Sequence, residues 1–129
     1  MTARVPSPSP YAPVIGFSAA VRAGDLIFVA GMTAVTGDGA VVGDDAYTQA
    51  REALRKVGEA LEAAGGRLDQ VVQTRMYLAD AADWEGVGRA HGEVFAGVSP
   101  AAAMLVTGLL DPRMRVEIEA VAHVGQVGA

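Results

Sequence analysis

Glu117 and Glu119 are the residues of this sequence whose type and spacing best suit catalysis. They lie in the strictly alternating stretch 116–122, so a strand would place both carboxylates on one face. A carboxylate beside an apolar cleft has its pKa raised by desolvation and can exchange a proton with water or with a carbon atom. We predict that Glu117 is catalytic; alternatively, it faces solvent or pairs with Arg115. Glu119 is a second cleft carboxylate or part of an ion pair at an interface.

Three further polar residues have two interpretations each. Arg75 lies centrally in a predicted strand, where a guanidinium without a partner is costly, so it either anchors an anion or pairs with Glu117 or Glu119. Arg113 reaches over the rim of a cleft or stays in an exposed turn. His91 acts as a general acid or base, or it packs as a partly buried side chain.

Composition argues against several classes of site. The chain of 129 residues contains no cysteine, which excludes disulfides, thiolate nucleophiles and cysteine-ligated metals, and it has only two histidines. We therefore predict no metal and no cofactor. The net charge of −5, the pI near 4.8 and the scattered basic residues, with Lys56 the single lysine, argue against a nucleic-acid partner.

The length fits a single domain, which we place at residues 14–124. Residues 1–13 are predicted to be an extended arm, because their prolines cannot join a regular ladder, and residues 125–129 a tail. No stretch approaches about 18 continuous apolar residues, and the N-terminus lacks the apolar core of a signal peptide. These features predict a soluble cytoplasmic protein without a membrane partner.

Hydrophobic periodicity predicts the strands and the second helix that must position the candidate residues. Strands are predicted by alternating or apolar runs at 16–22, 25–31, 71–78 and, within a turn-rich segment, 36–43. A helix is predicted from an Asp83 cap through Phe95, with Trp84 as an anchor in its first turn. Residues 100–124 are predicted to form a closing hairpin around a turn at Asp111.

The first helix is predicted at 46–64 by apolar residues at helical spacing. Asp44 and Asp45 are its candidate N-caps, and glycines follow its end. Its polar face, which includes Gln49 and Lys56, is interpreted as solvated. The order of elements predicts an α+β fold, a six-stranded mixed sheet with two helices packed on one face. The other face would be exposed and apolar, which predicts a homo-oligomer.

Three segments and their order resemble the Rid (YjgF, reactive intermediate deaminase) family. The segments are GDLIFVAG at 24–31, EAAGGRLDQVVQTRMYLAD at 62–80 and VEIEAVA at 116–122. The resemblance implies a chorismate-mutase-like subunit that closes into a homotrimer with ligand clefts between neighbours. It also implies hydrolysis of reactive enamines and imines formed from amino acids.

The resemblance implies site residues, position by position. The cleft glycine corresponds to Gly31 and the water-positioning glutamate to Glu117, both kept in this chain. Elsewhere the chain differs from the family pattern. The family's arginine, serine, tyrosine and asparagine correspond here to Ala102, Ala103, Phe17 and Gly88. Together with Met104 these side chains imply a larger and more apolar cleft, and we predict that His91 and Arg75 also bind the ligand.

Loss of the family's arginine bears directly on the substrate. A charge-assisted contact contributes about 1.5 to 3 kcal/mol, so a small carboxylate would bind roughly 10- to 150-fold more weakly unless another cation replaces it. We predict a cofactor-independent enzyme that hydrolyses or isomerises an imine, enamine or related conjugated metabolite. The alternative is a catalytically silent trimer that binds a small molecule or a partner. A third interpretation, ribonuclease, is disfavoured by the acidic charge.

Overall fold

The computed structural model describes residues 2–125, which form one six-stranded mixed sheet and three α-helices. The strands are β1 (Thr2–Val5), β2 (Ala20–Ala23), β3 (Leu26–Met32), β4 (Val71–Leu78), β5 (Ala101–Val106) and β6 (Val116–His123). The helices are α1 (Ala12–Ile15), α2 (Ala46–Ala63) and α3 (Trp84–Val94). Across the sheet the order is β1–β2–β3–β6–β4–β5, with β4 and β5 parallel and the other neighbours antiparallel. The predicted α+β fold is confirmed.

The two long helices pack against each other and cover one face of the sheet, as predicted. The core between them is built from aliphatic side chains such as Ile27, Leu54, Val57 and Ile118, all at most 1% exposed. Strands β3 and β4 run in the same direction and are joined through α2, whereas α3 joins the parallel strands β4 and β5. Both helices are therefore crossovers between parallel strands.

Helix α2 begins and ends close to its predicted bounds. The Asp45 Oδ1 accepts a hydrogen bond from the Thr48 N–H at 2.7 Å, so Asp45 rather than Asp44 is the N-cap. After the last turn Gly65 has a φ of 89°, a conformation that glycine adopts without a steric penalty. The strand predicted at 71–78 coincides with β4.

Two polar side chains of α2 are not solvated, which corrects the interpretation of its polar face. Gln49 is 2% exposed; its amide donates to the carbonyls of Gly43 and Arg113 at 3.2 and 3.1 Å and accepts from the Arg115 N–H at 2.8 Å. Lys56 is partly buried. Periodicity alone did not detect them, because the loops that cover this side of α2 come from distant parts of the chain.

The predicted closing hairpin is wrong. β5 and β6 are not neighbours, because β4 lies between them and pairs with both. Thr74 of β4 has Ala102 on one side and Ala120 on the other. The connection 107–115 is long enough to pass one strand, since neighbouring strands are only about 4.8 Å apart. β5 and β6 therefore each pair along their length with β4 instead of with each other.

The N-terminal segment also differs from the prediction. Residues 2–5 form β1 at the sheet edge, paired with β2, so an arm that cannot join a ladder is wrong for these four residues. The first proline is Pro6, and every residue before it keeps its N–H. Residues 126–129 of the predicted tail lie outside the described residues.

Other local differences leave the strand count unchanged. The strand predicted at 16–22 begins only at Ala20, and the short strand predicted within 36–43 is reduced to a single bridge between Val35 and Val41. The sixth strand of the sheet is therefore β1 and not that short strand. Trp84 is 58% exposed and does not anchor α3 in this subunit.

The sheet face opposite α2 and α3 carries exposed apolar side chains. On β3 and β5 these are Leu26, Phe28 and Leu105, which are 38%, 46% and 45% exposed. Within residues 2–125 no helix has the length and apolar character needed to cross a membrane. The cytoplasmic location stays a prediction.

Candidate active site

Glu117 lies on the open face of β6, directed away from the helices. Its neighbours Val116 and Ile118 are both 0% exposed and face the core, so alternation directs the carboxylate to the opposite side. In spite of that direction, Glu117 is partly buried. The sequence-predicted catalytic residue therefore stands in a semi-enclosed position.

Gly31 forms the surface against which the Glu117 side chain rests. The register between β3 and β6 shifts between Val29 and Met32, so Gly31 lies in a bulge. A Cβ atom on Gly31 would be 2.9 Å from Cδ of Glu117, and closer still to Oε2. Only glycine leaves room for the carboxylate here. The two residues kept from the family pattern are thus in contact.

The electrostatic environment of Glu117 favours proton uptake. Burial raises the pKa of this carboxyl above its ordinary value, the nearby Glu119 raises it further, and Lys56 offsets part of the effect. Among the described residues, the Glu117 carboxylate has no hydrogen bond and no salt bridge. The alternative pairing with Arg115 is wrong, because that guanidinium binds Asp83 at 3.4 Å. Glu117 is available to a ligand or to water.

A cavity of about 170 Å³ adjoins this region, and Gly31 and Phe17 both line it. Its walls come from six parts of the chain: the N-terminal segment 7–11, the segment 17–19 before β2, the end of β3, the loop after β3, Lys56 of α2 and the turn around Arg113. Apolar atoms predominate on these walls. The cavity brings together two of the predicted cleft residues, and it lies within one subunit.

Arg113 lines the cavity but is held by its own turn. Its guanidinium binds Asp111 through two contacts, Nε to Oδ1 at 3.1 Å and a second nitrogen to Oδ2 at 2.7 Å. This pairing lowers the pKa of Asp111 to about 2. Arg113 therefore reaches the rim, as one of the two interpretations holds, but its charge already has a partner.

Arg75 forms the ion pair that was the alternative to an anchor. It lies opposite Glu119 in the register of β4 and β6, with its guanidinium 3.7 Å from that carboxylate. The Tyr77 hydroxyl donates to the same carboxylate, which raises the pKa of Tyr77. Within residues 2–125 Glu119 thus has two partners and Glu117 has none, a difference that the shared strand face did not indicate.

Ala102 and Met104 lie away from the cavity. Both are on the edge strand β5, where their register partners are Thr74 and Met76. Those partners face the core, so the two β5 side chains lie on the helix side of the sheet, whereas Glu117 lies on the other. One subunit alone does not bring them together.

Gly88 and His91 belong to this second group, on α3. A Cβ atom on Gly88 would meet nothing within 4 Å, so the position is open. The His91 Nε2 lies 2.8 Å from the Thr74 hydroxyl, its ring packs against Phe95 with centroids 4.7 Å apart, and burial lowers its pKa. These contacts describe a neutral packing histidine, the second of its two interpretations.

Sequence reasoning missed Lys56 as a site residue. Its ammonium donates to the Thr33 and Val35 carbonyl oxygens at 2.7 and 2.9 Å, and it lines the cavity. Burial is the main cause that lowers its pKa. The one available signal was its position as the single lysine of the chain, on a helix face otherwise rich in arginine and glutamate. Within residues 2–125 no cluster of three metal-ligating side chains occurs.

Comparisons with known proteins extend over nearly the whole chain. A family model described as Endoribonuclease L-PSP matches residues 8–124. An uncharacterized protein of Streptomyces coelicolor is 41% identical over 125 residues, covering 96% of this chain and 93% of that protein.

Two solved structures are similar in both sequence and fold. A Mycobacterium tuberculosis protein, described as a member of the highly conserved YjgF/YER057c/UK114 family, has 39% identity and a TM-score of 0.88, covering 96% of this chain and 100% of that one. A Pseudomonas aeruginosa protein of unknown function has 34% identity and a TM-score of 0.83, covering 96% and 93%. The family model matches residues 8–124, which include the Gly31 bulge and Glu117. Because this match and the two similar sequences extend over nearly the whole chain, the protein belongs to the YjgF/Rid family.

Proposed function

We propose that the protein is a cofactor-independent enzyme that hydrolyses or isomerises an imine, an enamine or a related conjugated metabolite. Membership in the YjgF/Rid family supports a role in processing or binding a small molecule. The observation that carries the proposal is Glu117, a partly buried carboxylate with raised pKa and no described partner, resting on Gly31 beside a largely apolar cavity. A general base of raised pKa is suited to proton transfer near neutral pH.

Glu117 has a defined task in the hydrolysis. Water attacks the imine carbon while its proton passes to the Glu117 carboxylate, and a carbinolamine forms. Glu117 returns this proton to nitrogen. It then takes up the hydroxyl proton of the carbinolamine as the carbonyl forms and delivers it to the departing nitrogen, so that the carbon–nitrogen bond breaks and ammonia and a carbonyl product are released. An enamine enters the same sequence after it is protonated at carbon. One carboxylate that both accepts and returns a proton is sufficient, and no external oxidant or cofactor is needed.

The assembly is part of the proposal. We infer a homotrimer in which the Glu117 side of one subunit meets the β5 edge of its neighbour, where Ala102 and Met104 lie. Support comes from the exposed apolar sheet face and from the distribution of predicted cleft residues over two sides of one subunit. A partner that covers both would enclose the ligand.

The Glu117→Gln variant tests the function. Imines generated in solution from several amino acids are offered to the wild type and the variant, and release of ammonia or carbonyl product is timed against buffer. We expect the variant to lose about 100-fold or more in rate, since a positioned general base contributes roughly that much. Glu119→Gln is the matched control on the same strand face and should keep most of the activity. Full activity in Glu117→Gln would remove the assignment.

The catalytically silent alternative makes a different forecast for the wild type. Lack of any acceleration over buffer, together with binding of a small carbonyl compound, would favour a ligand-binding trimer that has lost its chemistry. The family description names an endoribonuclease, but the net charge of −5 opposes RNA binding here.

A further inference from the structure

We propose that Lys56 is the anion anchor of the cavity and binds the carboxylate of the small-molecule ligand. The inference rests on the proposed function, because it names the group that would recognise one end of the molecule processed beside Glu117. It assigns a residue that neither the sequence pattern nor the family resemblance pointed to.

The first argument is the donor inventory of Lys56. An ammonium has three N–H donors and no acceptor. Two donors are directed to the carbonyl oxygens of Thr33 and Val35, at 2.7 and 2.9 Å. Among the described residues nothing accepts the third, and the side chain lines the cavity. A ligand oxygen in the cavity would complete the set.

The second argument is the charge balance around the cavity. Arg113, the other cation that lines it, is neutralised by two contacts with Asp111. On the helix itself, Glu52 would be the natural partner of Lys56 one turn away, but Glu52 binds Arg55 at 2.7 Å instead. Within residues 2–125 no salt bridge involves Lys56. Its positive charge is therefore available to a ligand.

The third argument is the tethering of the ammonium. Carbonyl oxygens on two residues of the loop after β3 fix its position, so little side-chain entropy remains to be lost when an anion binds. Partial burial strengthens a charge-assisted contact, because water screens it less. Glu117 and Lys56 also influence each other electrostatically without forming a salt bridge. A ligand that carries both a carboxylate and a carbon–nitrogen double bond suits this pair.

The test compares two ligands that differ only in charge. 4-Methyl-2-oxopentanoate and its primary amide are titrated calorimetrically into the full-length wild type, into Lys56→Met and into Arg51→Met. We expect the wild type to prefer the carboxylate, and Lys56→Met to bind it at least about tenfold more weakly with the amide affected less than twofold. Arg51→Met removes one positive charge from the same helix outside the cavity lining and should leave both affinities unchanged.

The ratio of the carboxylate affinity to the amide affinity distinguishes a role of Lys56 in ligand recognition from a structural role. If Lys56 merely tethers the loop after β3, Lys56→Met weakens both ligands alike, and that result overturns the inference. A wild type without preference for the carboxylate overturns it as well. Because binding is measured without turnover, a change in the ratio supports Lys56 even if Glu117→Gln proves as active as the wild type. Conversely, if Glu117→Gln loses activity but Lys56→Met keeps the wild-type ratio of affinities, the proposed function stands and Lys56 is not the anchor.

Discussion

At the scale of single residues, the contrast between Glu117 and Glu119 decides which carboxylate can act. They are two positions apart on one face of β6, yet Glu119 accepts a hydrogen bond from the Tyr77 hydroxyl and forms an ion pair with the Arg75 guanidinium. Those two contacts occupy the Glu119 carboxylate. Glu117 is instead partly buried against Gly31, where desolvation favours the neutral form. A carboxylate that takes up and returns a proton needs the second environment.

Gly31→Ala tests the contact between the bulge and the carboxylate. The added Cβ would be 2.9 Å from Cδ of Glu117, so the side chain must move, and a shift of about 1 Å can cost roughly 100-fold in rate. The end of a flexible side chain moves easily, so we expect thermal stability to change little. Gly92→Ala, where a Cβ meets nothing within 4 Å, is the control. Unchanged kcat/KM in Gly31→Ala would contradict the role of this contact.

The raised pKa of Glu117 also predicts how stability depends on pH. A carboxyl whose pKa is higher in the folded chain than its ordinary 4.5 stabilises the fold below that ordinary value, and the stabilisation is lost as pH rises through the folded pKa. At pH 7 the wild type therefore bears more of the cost of a desolvated charge than it does in acid, and Glu117→Gln should unfold at a higher temperature. Below about pH 4 that gain should disappear. A variant less stable at pH 7 would show that the charge is compensated.

Part of the site could be predicted from the sequence and part could not. Glu117 and Gly31 were predicted because both signals, the alternation of apolar residues and the family pattern, depend only on the order of residues in the chain. Lys56 was missed because its function depends on two carbonyl groups that lie 21 and 23 residues away in sequence. Local spacing placed it on a solvated face, and only the folded loop shows otherwise.

At the scale of elements, the walls of the cavity depend on α2. Gln49 of this helix joins two loops through three hydrogen bonds to backbone groups of Gly43, Arg113 and Arg115. The second of these loops supplies one wall of the cavity. A single buried amide therefore fixes that wall to the helix that also carries Lys56.

Gln49→Met tests this connection. The change keeps side-chain length but leaves three backbone groups without their partner, and we expect a loss of about 2 kcal/mol in the free energy of unfolding by denaturant. Gln73→Met is the matched control, because Gln73 is only partly buried on the open sheet face and has no described side-chain hydrogen bond. An equal loss in both variants would show that the buried network is not the cause.

The elements themselves were predicted unevenly, for physical reasons. β4 and α2 were located within one residue, because a long regular pattern of burial specifies each. The hairpin was wrong because adjacency in sequence does not determine adjacency in a sheet, and β4 offers both its edges to more distant strands. β1 was missed because the prolines after it obscured four ordinary residues.

At the scale of the whole molecule, one subunit does not enclose the proposed cleft. Phe17 and Gly31 line the cavity and Glu117 rests on Gly31, whereas Ala102 and Met104 lie on the helix side of the edge strand β5. An edge strand with an apolar and exposed surface is a natural contact for another copy of the chain. Assembly and function are therefore coupled in the proposal.

Leu105→Glu tests this coupling. Leu105 is 45% exposed, and its register partner Tyr77 places it on the same sheet face as Glu117, so the proposed contact would bury it. By light scattering coupled to size-exclusion chromatography we expect the wild type at about three times the 13.2 kDa chain mass and the variant at the mass of one chain. Burying an unpaired carboxylate costs several kcal/mol per subunit, which is enough to dissociate such an assembly. Imine hydrolysis should fall with the mass, because the two groups of cleft residues then stay apart. Arg67→Glu, which introduces the same carboxylate at an exposed position and changes the net charge by two units instead of one, should alter neither quantity. A Leu105→Glu monomer with full activity would place the whole site in one subunit, around the cavity that Gly31 and Lys56 line.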